Sequence, residues 1–475
     1  MRMLPIAALA TLYPMAAVPA QTPAEVSYRF VYERAGESTV SVTLEWGAPL
    51  GEAGVLVAPR AIPMGYGEQH YDRFVRDMRA LPGGTVERQE GPRWRVPAGA
   101  TGVAYRVDLR ALERAVLAAS DQSRVRDGYL AVLGYSVFAY LDGLDARPAR
   151  LRVEGPEGWP VFATLAPRWP VAAAEVDARA ADFYALADSQ IVMGPRADFR
   201  RLTETPVPLY LAAYAEGPVD LDRLGRLAAT AFERVIAYFG SVPFAHYTVH
   251  QELLAPISPE HSYGMSMEHL DSSTYYLAAS SGLTDRSPPE EEARVLYNFA
   301  HHMAHAWVPK RAYGPGYFPF QWELAPVLDT IWFAEGFGQY AAIVAIGAGT
   351  DNPDAYRAGM LDRRFRSNLA SAPAFLARMG LVELSRIGST RYSEDFRTGR
   401  LIFSRGGLMA AAIDERIQAA TAGTRSLRDA LRFLVAWTAR EGRGFRDADE
   451  LAGLIREATG VDVSGVIASW LGPLP

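Results

Sequence analysis

Three of the eight histidines in this chain fall within five residues, in the stretch NFAHHMAHAW: His301, His302 and His305. On a helix, residues four apart share a face, so His301 and His305 can aim their imidazoles at one ion, with the spacing of the H-E-x-x-H zinc motif. His302 points about 100 degrees around the axis from His301. A catalytic zinc takes three protein ligands and keeps a fourth position open. Glu335, in IWFAEGFGQY, offers the third. A carboxylate among Trp332, Phe333, Phe337 and Tyr340 is costly to bury unless a cation or hydrogen-bond donors meet it. Each piece also has an ordinary explanation, a histidine pair on a plain helix face and a glutamate exposed on its helix, and spacing alone leaves both open. Imidazole also suits copper, nickel and iron, so the pattern does not by itself fix the metal. Cysteine is absent, which excludes sulfur ligands, cysteine nucleophiles and disulfides.

The elements that must position these residues change in texture along the chain. From Ser27 to about Leu165, SYRFVYER, TVSVTLEW, VAYRVDLR, YLAVLGYSVFAYL and ARLRVEG alternate apolar and polar residues in short runs, which predicts an antiparallel sheet domain with nothing catalytic in it. PVPLYLAAY reads as a strand. From Asp222 to Gly240, Leu224, Leu227, Ala228, Ala231, Phe232, Val235 and Phe239 recur at intervals of three and four, predicting an amphipathic helix closed by a glycine. Further helices are expected over Glu290 to Trp307 and Asp329 to Ile346, and in LIFSRGGLMAAAIDERI, SLRDALRFLVAWTAR and DADELAGLIREAT. The expected fold is multidomain α+β: an N-terminal antiparallel β-sheet domain over 21–205, a mixed domain carrying the histidines over 206–367, and a C-terminal helical domain over 368–475.

The length of 475 residues is too great for one hydrophobic core. Residues 1–20 combine Arg2, an apolar stretch from Leu4 to Val18 and small residues at Val18 and Ala20, the pattern of a cleaved signal peptide, so an exported protein, periplasmic or extracellular, is expected. No later window is apolar enough for a membrane span. The net charge of -6 argues against nucleic acid as a partner. Basic charge is almost wholly arginine, with Lys310 the one lysine.

HHMAHAWVPKR followed by WFAEGF resembles the H-E-x-x-H-x-W-x-x-K-R and W-x-x-E-G-F signature of glycyl aminopeptidases, zinc peptidases allied to thermolysin and the large aminopeptidases. DGYLAVLGYSVFAYL, VEGPEGWPVFATL and FYALADSQIVMG are similar to that family's N-terminal sheet domain. The resemblance implies a thermolysin-like zinc-peptidase domain in the middle of the chain, one Zn2+ held by His301, His305 and Glu335, and Lys310 with Arg311 as the family's basic pair. GMSMEHLDSST resembles the strand that binds the free amino terminus of a peptide, which implies substrate contacts at Gly264, Ser266 and Glu268, with Ser266 where a glycine is usual and narrowing the cleft. His269 is expected to be a structural neighbour. Peptides or protein amino termini, with preference for small residues such as glycine, are the implied partners.

Two positions depart from that pattern. The general-base glutamate of the family is His302 here, and the tyrosine whose hydroxyl stabilises the oxyanion is, aligned on FSRGG with Arg405 and Gly406 at a Lys-Gly pair, Phe403. Imidazole can shuttle protons near neutral pH but differs in shape and charge from a carboxylate. Losing general acid-base help costs about 100- to 10,000-fold, and losing one oxyanion donor about a hundredfold or more. Tyr392 is the nearby hydroxyl that could compensate. The expectation is a zinc-binding pseudoenzyme that holds peptide amino termini, with the alternative of an active aminopeptidase using His302 or a remodelled water network as base. Many relatives continue into a peptide-binding PDZ module, whereas this sequence stops at WLGPLP, so partner recognition is expected to use the cleft or the sheet domain.

Overall fold

The computed structural model describes residues 25–116, 122–391 and 396–473. The expected leader at 1–20 and the Tyr392 hydroxyl lie outside the described residues.

The N-terminal part carries three sheets. The largest has six strands in the order 176–180, 149–154, 26–31, 39–45, 102–108 and 75–81. Its strands alternate buried and exposed residues as their sequence alternates, for example Val26, Tyr28 and Phe30 inward. One neighbouring pair, Val26–Val31 beside Ala149–Glu154, runs parallel, so the sheet is mixed at that seam rather than wholly antiparallel. YLAVLGYSVFAYL is also not one strand. It splits into Tyr129–Leu133, a tight turn at Gly134–Ser136 and Tyr140–Leu141 in a different sheet. Every residue of it is buried, which removes the alternation that marks a strand's ends.

The middle sheet has five strands, ordered 198–203, 209–215, 247–254, 272–278 and 264–268. The three central strands run parallel and the two outer ones antiparallel to them. The helix Leu221–Phe239 connects two of the parallel strands, capped by Asp220, whose carboxylate accepts from the Arg223 amide, and ended by Gly240 at φ 68°. Phe239 stacks on Trp307 at 4.7 Å, locking this helix to the segment that carries the histidines. Gly264–Glu268 is the edge strand, so its outer backbone faces the cleft described below.

The expected helices form with shifted ends. Asp329 to Ile346 becomes Ile331–Gly347, and the C-terminal three become Phe396–Ala420, Leu427–Glu441 and Ala448–Thr459. The histidine helix, Pro289–Ala304, stops three residues early, with His305 as its cap. Pro309 contributes to this: it has no N–H to donate to the His305 carbonyl, which accepts from the Lys310 amide instead. Ile331–Gly347 is buried nearly all round, and its tightest neighbour is Phe396–Ala420. Added Cβ atoms at Gly336 and Gly406 would lie 2.2 Å and 2.1 Å from the opposite backbone, so only glycine permits this crossing. The FSRGG run therefore owes its glycines to helix packing, which sets Phe403 one turn away on the cleft side.

Candidate metal centre and peptide cleft

The structure brings His301, His302, His305, Glu335, Glu268, Ser266, Gly264 and Phe403 together; all but His305, which is fully buried beneath its floor, line one cavity of about 450 Å³. His301 and His305 come from the end of the histidine helix, one turn apart, with their Nε2 atoms 3.3 Å from each other. Glu335 Oε2, from the first turns of the next helix, lies 3.8 Å and 3.7 Å from those two nitrogens. A point equidistant from three atoms so spaced is about 2.1 Å from each, a zinc–ligand bond length. The donor set of two imidazoles and a carboxylate thus fits the metal the sequence pattern suggested.

The protonation states fit too. His305 Nδ1 lies 2.7 Å from the Val308 carbonyl oxygen, so Nδ1 carries the proton and donates it, leaving the Nε2 lone pair facing His301 and Glu335. Burial and the neighbouring imidazoles hold His301 well below 6.5, hence neutral. Burial pushes Glu335 up to about 7; the His305 imidazole opposes this rise and the Glu268 charge adds to it. Burial alone would also raise Glu268, but His305, His302 and Lys310 bring it down to about 2. The imidazoles and Lys310 thus favour the charged form of Glu268, while burial, with the Glu268 charge adding to it, disfavours the charged form of Glu335, the carboxylate that a cation would stabilise most.

Glu268 ends the edge strand. Gly264, Ser266 and Glu268 alternate onto one face, as period-two geometry requires. Asn298 Nδ2 donates to Ser266 Oγ at 3.4 Å, which ties this strand to the histidine helix one turn before His302. His302 Nδ1 lies 3.3 Å from Glu268 Oε2, while Glu268 Oε1 is buried with no hydrogen-bond partner. The His302 ring sits edge-on to Tyr275 at 5.6 Å. His302 therefore faces Glu268 across the cleft instead of pointing away from the site. Phe403, 5% exposed, contributes a ring and no hydroxyl.

Several contributors left no signal in the sequence reading. Tyr66 lines the cavity from the N-terminal part, where nothing catalytic was expected, and its phenol is in electrostatic contact with Tyr317, Glu335 and Glu268. Met64 and Tyr66 have φ of 64° and 49°, a costly conformation for residues with side chains, of the sort that clusters at functional sites. A pair of non-glycine residues in this conformation cannot be read from composition or periodicity. Asp188 is the second. It accepts from Lys310 Nζ at 3.1 Å and 3.3 Å and from the Leu270 amide at 2.8 Å, and its Oδ1 is 3.0 Å from His269 Nδ1. Lys310, buried, also donates to the Tyr184 hydroxyl at 3.0 Å. Arg311 donates to the Leu270 and Ala306 carbonyls at 2.8 Å and 2.7 Å. Lys310 and Arg311 thus clamp the turn that follows Glu268, and His269 belongs to this clamp, within the N-terminal part's reach through Asp188.

Residues 27–195 match the family described as Peptidase M61 N-terminal domain. No curated protein sequence matches the chain. Among solved structures, an aminopeptidase N family protein from Idiomarina loihiensis is similar at TM-score 0.80 and 18% identity, over 94% of this chain and 76% of that one. The M1 zinc metallopeptidase of Deinococcus radiodurans is similar at TM-score 0.53 and 19% identity, over 95% of this chain and 94% of that one. A mutant of the latter bound to a Tyr-Ser-Ala substrate is similar at TM-score 0.54 and 18% identity, over the same shares. At these identities the structures speak for the fold. The chain thus shares its fold with these structures and carries a peptidase-type N-terminal domain, and its His/Glu cluster is one that could hold a metal.

Proposed function

We propose that this is an exported protein of glycyl-aminopeptidase type that binds one zinc through His301, His305 and Glu335, holds peptide amino termini through Glu268, and hydrolyses them poorly. The observation that carries the reading is the three-atom triangle of two Nε2 and one Oε2, 3.3 to 3.8 Å on a side, beside a Glu268 oxygen without a partner. Zinc held there would supply Lewis-acid polarisation of a peptide carbonyl. The other roles fall to this chain's own groups. Glu268 Oε1 accepts from a peptide ammonium, the edge strand Gly264–Glu268 offers backbone groups to an extended peptide, and Tyr66 and Phe403 shield the cleft from water. What the arrangement lacks is a carboxylate at 302 to take a proton and a hydroxyl at 403 to meet an oxyanion. The structural neighbour bound to Tyr-Ser-Ala is a precedent for a short peptide in such a cleft. Export rests on the leader pattern of residues 1–20.

One observation favours the alternative, an active aminopeptidase. His302 beside Glu268 is an imidazole oriented by a carboxylate, the pairing that prepares a histidine to act as general base. Elemental analysis and turnover of a glycyl anilide separate the readings. About one zinc per chain, lost in His301→Ala, with slow wild-type turnover that rises at least about a hundredfold in the His302→Glu/Phe403→Tyr double variant, is the expected result. Efficient wild-type cleavage that the double variant leaves unchanged would sink the binding reading and favour the alternative. Protein purified without chelators that holds no zinc would sink both.

A further inference from the structure

The lining of the cavity carries charges of both signs. Arg363 and Arg364, on the wide helical turn Leu361–Arg366, and Arg400, on Phe396–Ala420, line the wall that completes the cleft beyond Glu268, His302 and Glu335. Among the described residues, none of the three has a carboxylate within 4 Å; their neighbour Arg366, outside the cavity, is paired with Asp362. Arg363 Nη2 meets the Met360 sulfur at 3.6 Å, Arg364 lies 4.4 Å above the Tyr297 ring, and Arg400 lies 5.3 Å from the Phe396 ring. Arg364 Nε is buried without a hydrogen-bond partner. In a chain with more acidic than basic residues, three guanidiniums gathered with no carboxylate partner among the described residues repel one another, and a concave wall focuses their field. The guanidinium fork fits a carboxylate through two parallel hydrogen bonds.

We infer that Arg363, Arg364 and Arg400 form a carboxylate subsite, so that the cleft takes short peptides with a free carboxyl terminus, the ammonium at Glu268 and the carboxylate at the arginines. The inference rests on the reading of Glu268 as the amine site. The size agrees: the cavity of about 450 Å³ lies in the range of small-molecule pockets. Each residue of an extended peptide advances about 3.3 to 3.6 Å, so two or three residues span about 7 to 10 Å. A long polypeptide would bring no charge to the arginine wall.

The test is calorimetric binding to the full-length, zinc-loaded protein of four probes: triglycine, triglycine amide, N-acetyl-triglycine and Gly-Glu-Gly amide. Triglycine should bind about tenfold more tightly than its amide, the low end for charge-assisted bonds to partly exposed groups. In Arg363→Gln/Arg400→Gln, both exposed positions where folding is not at stake, that ratio should fall toward one, while Arg364→Lys should keep part of it. Equal affinity for acid and amide, no triglycine binding at millimolar concentration, or an unchanged ratio in the double variant would overturn the subsite. Gly-Glu-Gly amide matching triglycine would overturn the free-terminus requirement and assign the wall to an acidic side chain. The acetylated probe reads the amine site separately. If it binds as well as triglycine while the amide still binds weakly, the Glu268 reading fails and the arginine subsite stands.

Discussion

Gly338→Ala tests whether the metal site is built by packing. Gly338 follows Glu335 by one turn less a residue, and a Cβ there would lie 2.9 Å from His305 Cε1 and 3.0 Å from His305 Nδ1. Ordinary carbon contacts are about 3.5 to 4.0 Å, so the imidazole must retreat by roughly 0.6 Å or the two helices must part. His305 has no room to retreat freely, because it is fully buried and its Nδ1 is fixed to the Val308 carbonyl at 2.7 Å. A metal site tolerates shifts of only about 0.2 Å in ligand distance. Losing an orienting hydrogen bond of this kind typically costs about 10- to 100-fold in metal affinity. Zinc competition with a chromophoric chelator should therefore show a fall of that order. Urea unfolding of the metal-free protein should show a loss of about 1 to 3 kcal/mol, the usual range for overpacking. Gly453→Ala is the control, a helical position where an added Cβ meets nothing within 4 Å. If Gly338→Ala binds zinc as the parent does and unfolds at the same urea concentration, the packing argument for His305 is wrong.

Two further outcomes follow from the buried polar contacts. Asp188→Asn removes the charge facing Lys310 Nζ, with both side chains almost wholly buried, and should cost about 3 to 5 kcal/mol in urea unfolding. Burial raises the Asp188 carboxyl but Lys310 and His269 outweigh it and hold it below its ordinary value, so its contribution is present above about pH 4 and is lost as pH falls through the depressed folded value. The parent should lose stability across that acid range and the variant much less, and a loss under about 1 kcal/mol near neutrality would refute the clamp. Arg405→Leu strips the donors from the Met379 and Trp470 carbonyls, at 2.7 Å and 2.9 Å, and from that of Gly472. These carbonyls are part-buried, so losing their donor costs up to about 1 kcal/mol each, and the last helix, Ser464–Leu471, should loosen and be trimmed faster in limited proteolysis; an unchanged trimming rate counts against this.

The legible parts of this chain are those with a local period or a fixed spacing. Asp220 and Gly240 bracket an apolar stripe, and the helix between them spans what the stripe predicts. Spacing and one costly carboxylate suggest His301, His305 and Glu335, the family resemblance implies them as a group, and the structure brings their ligand atoms within 3.8 Å of one another. Where periodicity is absent, the sequence misleads. YLAVLGYSVFAYL is buried on every side, so its break at Gly134 leaves no trace in the pattern. Tyr66, Asp188 and the cleft arginines come from loops and turns far from the histidines in sequence, and only tertiary contact gathers them. Lys310 was singled out for its place in a motif; its purpose became visible only with Asp188 opposite.

The position of His302 bears on how a cleft of this design behaves without its glutamate. A carboxylate at 302 would stand against Glu268, near Glu335, adding a third negative group to a site where burial and the Glu268 charge already raise Glu335. Such crowding is useful when a base is needed, because it keeps one carboxylate ready to accept a proton. An imidazole relieves it: His302 hydrogen-bonds one oxygen of Glu268 and leaves the other free. The site thereby exchanges a reactive excess of negative charge for a settled, partly satisfied carboxylate, which suits holding an ammonium more than moving a proton. Phe403 presents an apolar ring and no hydroxyl to the same cavity, which on the proposed reading works in the same direction. On the proposed reading, His302 and Phe403 bear on the reacting centre while Glu268 and the arginines bear on the two ends of a short peptide, so binding and turnover would be separable by substitution.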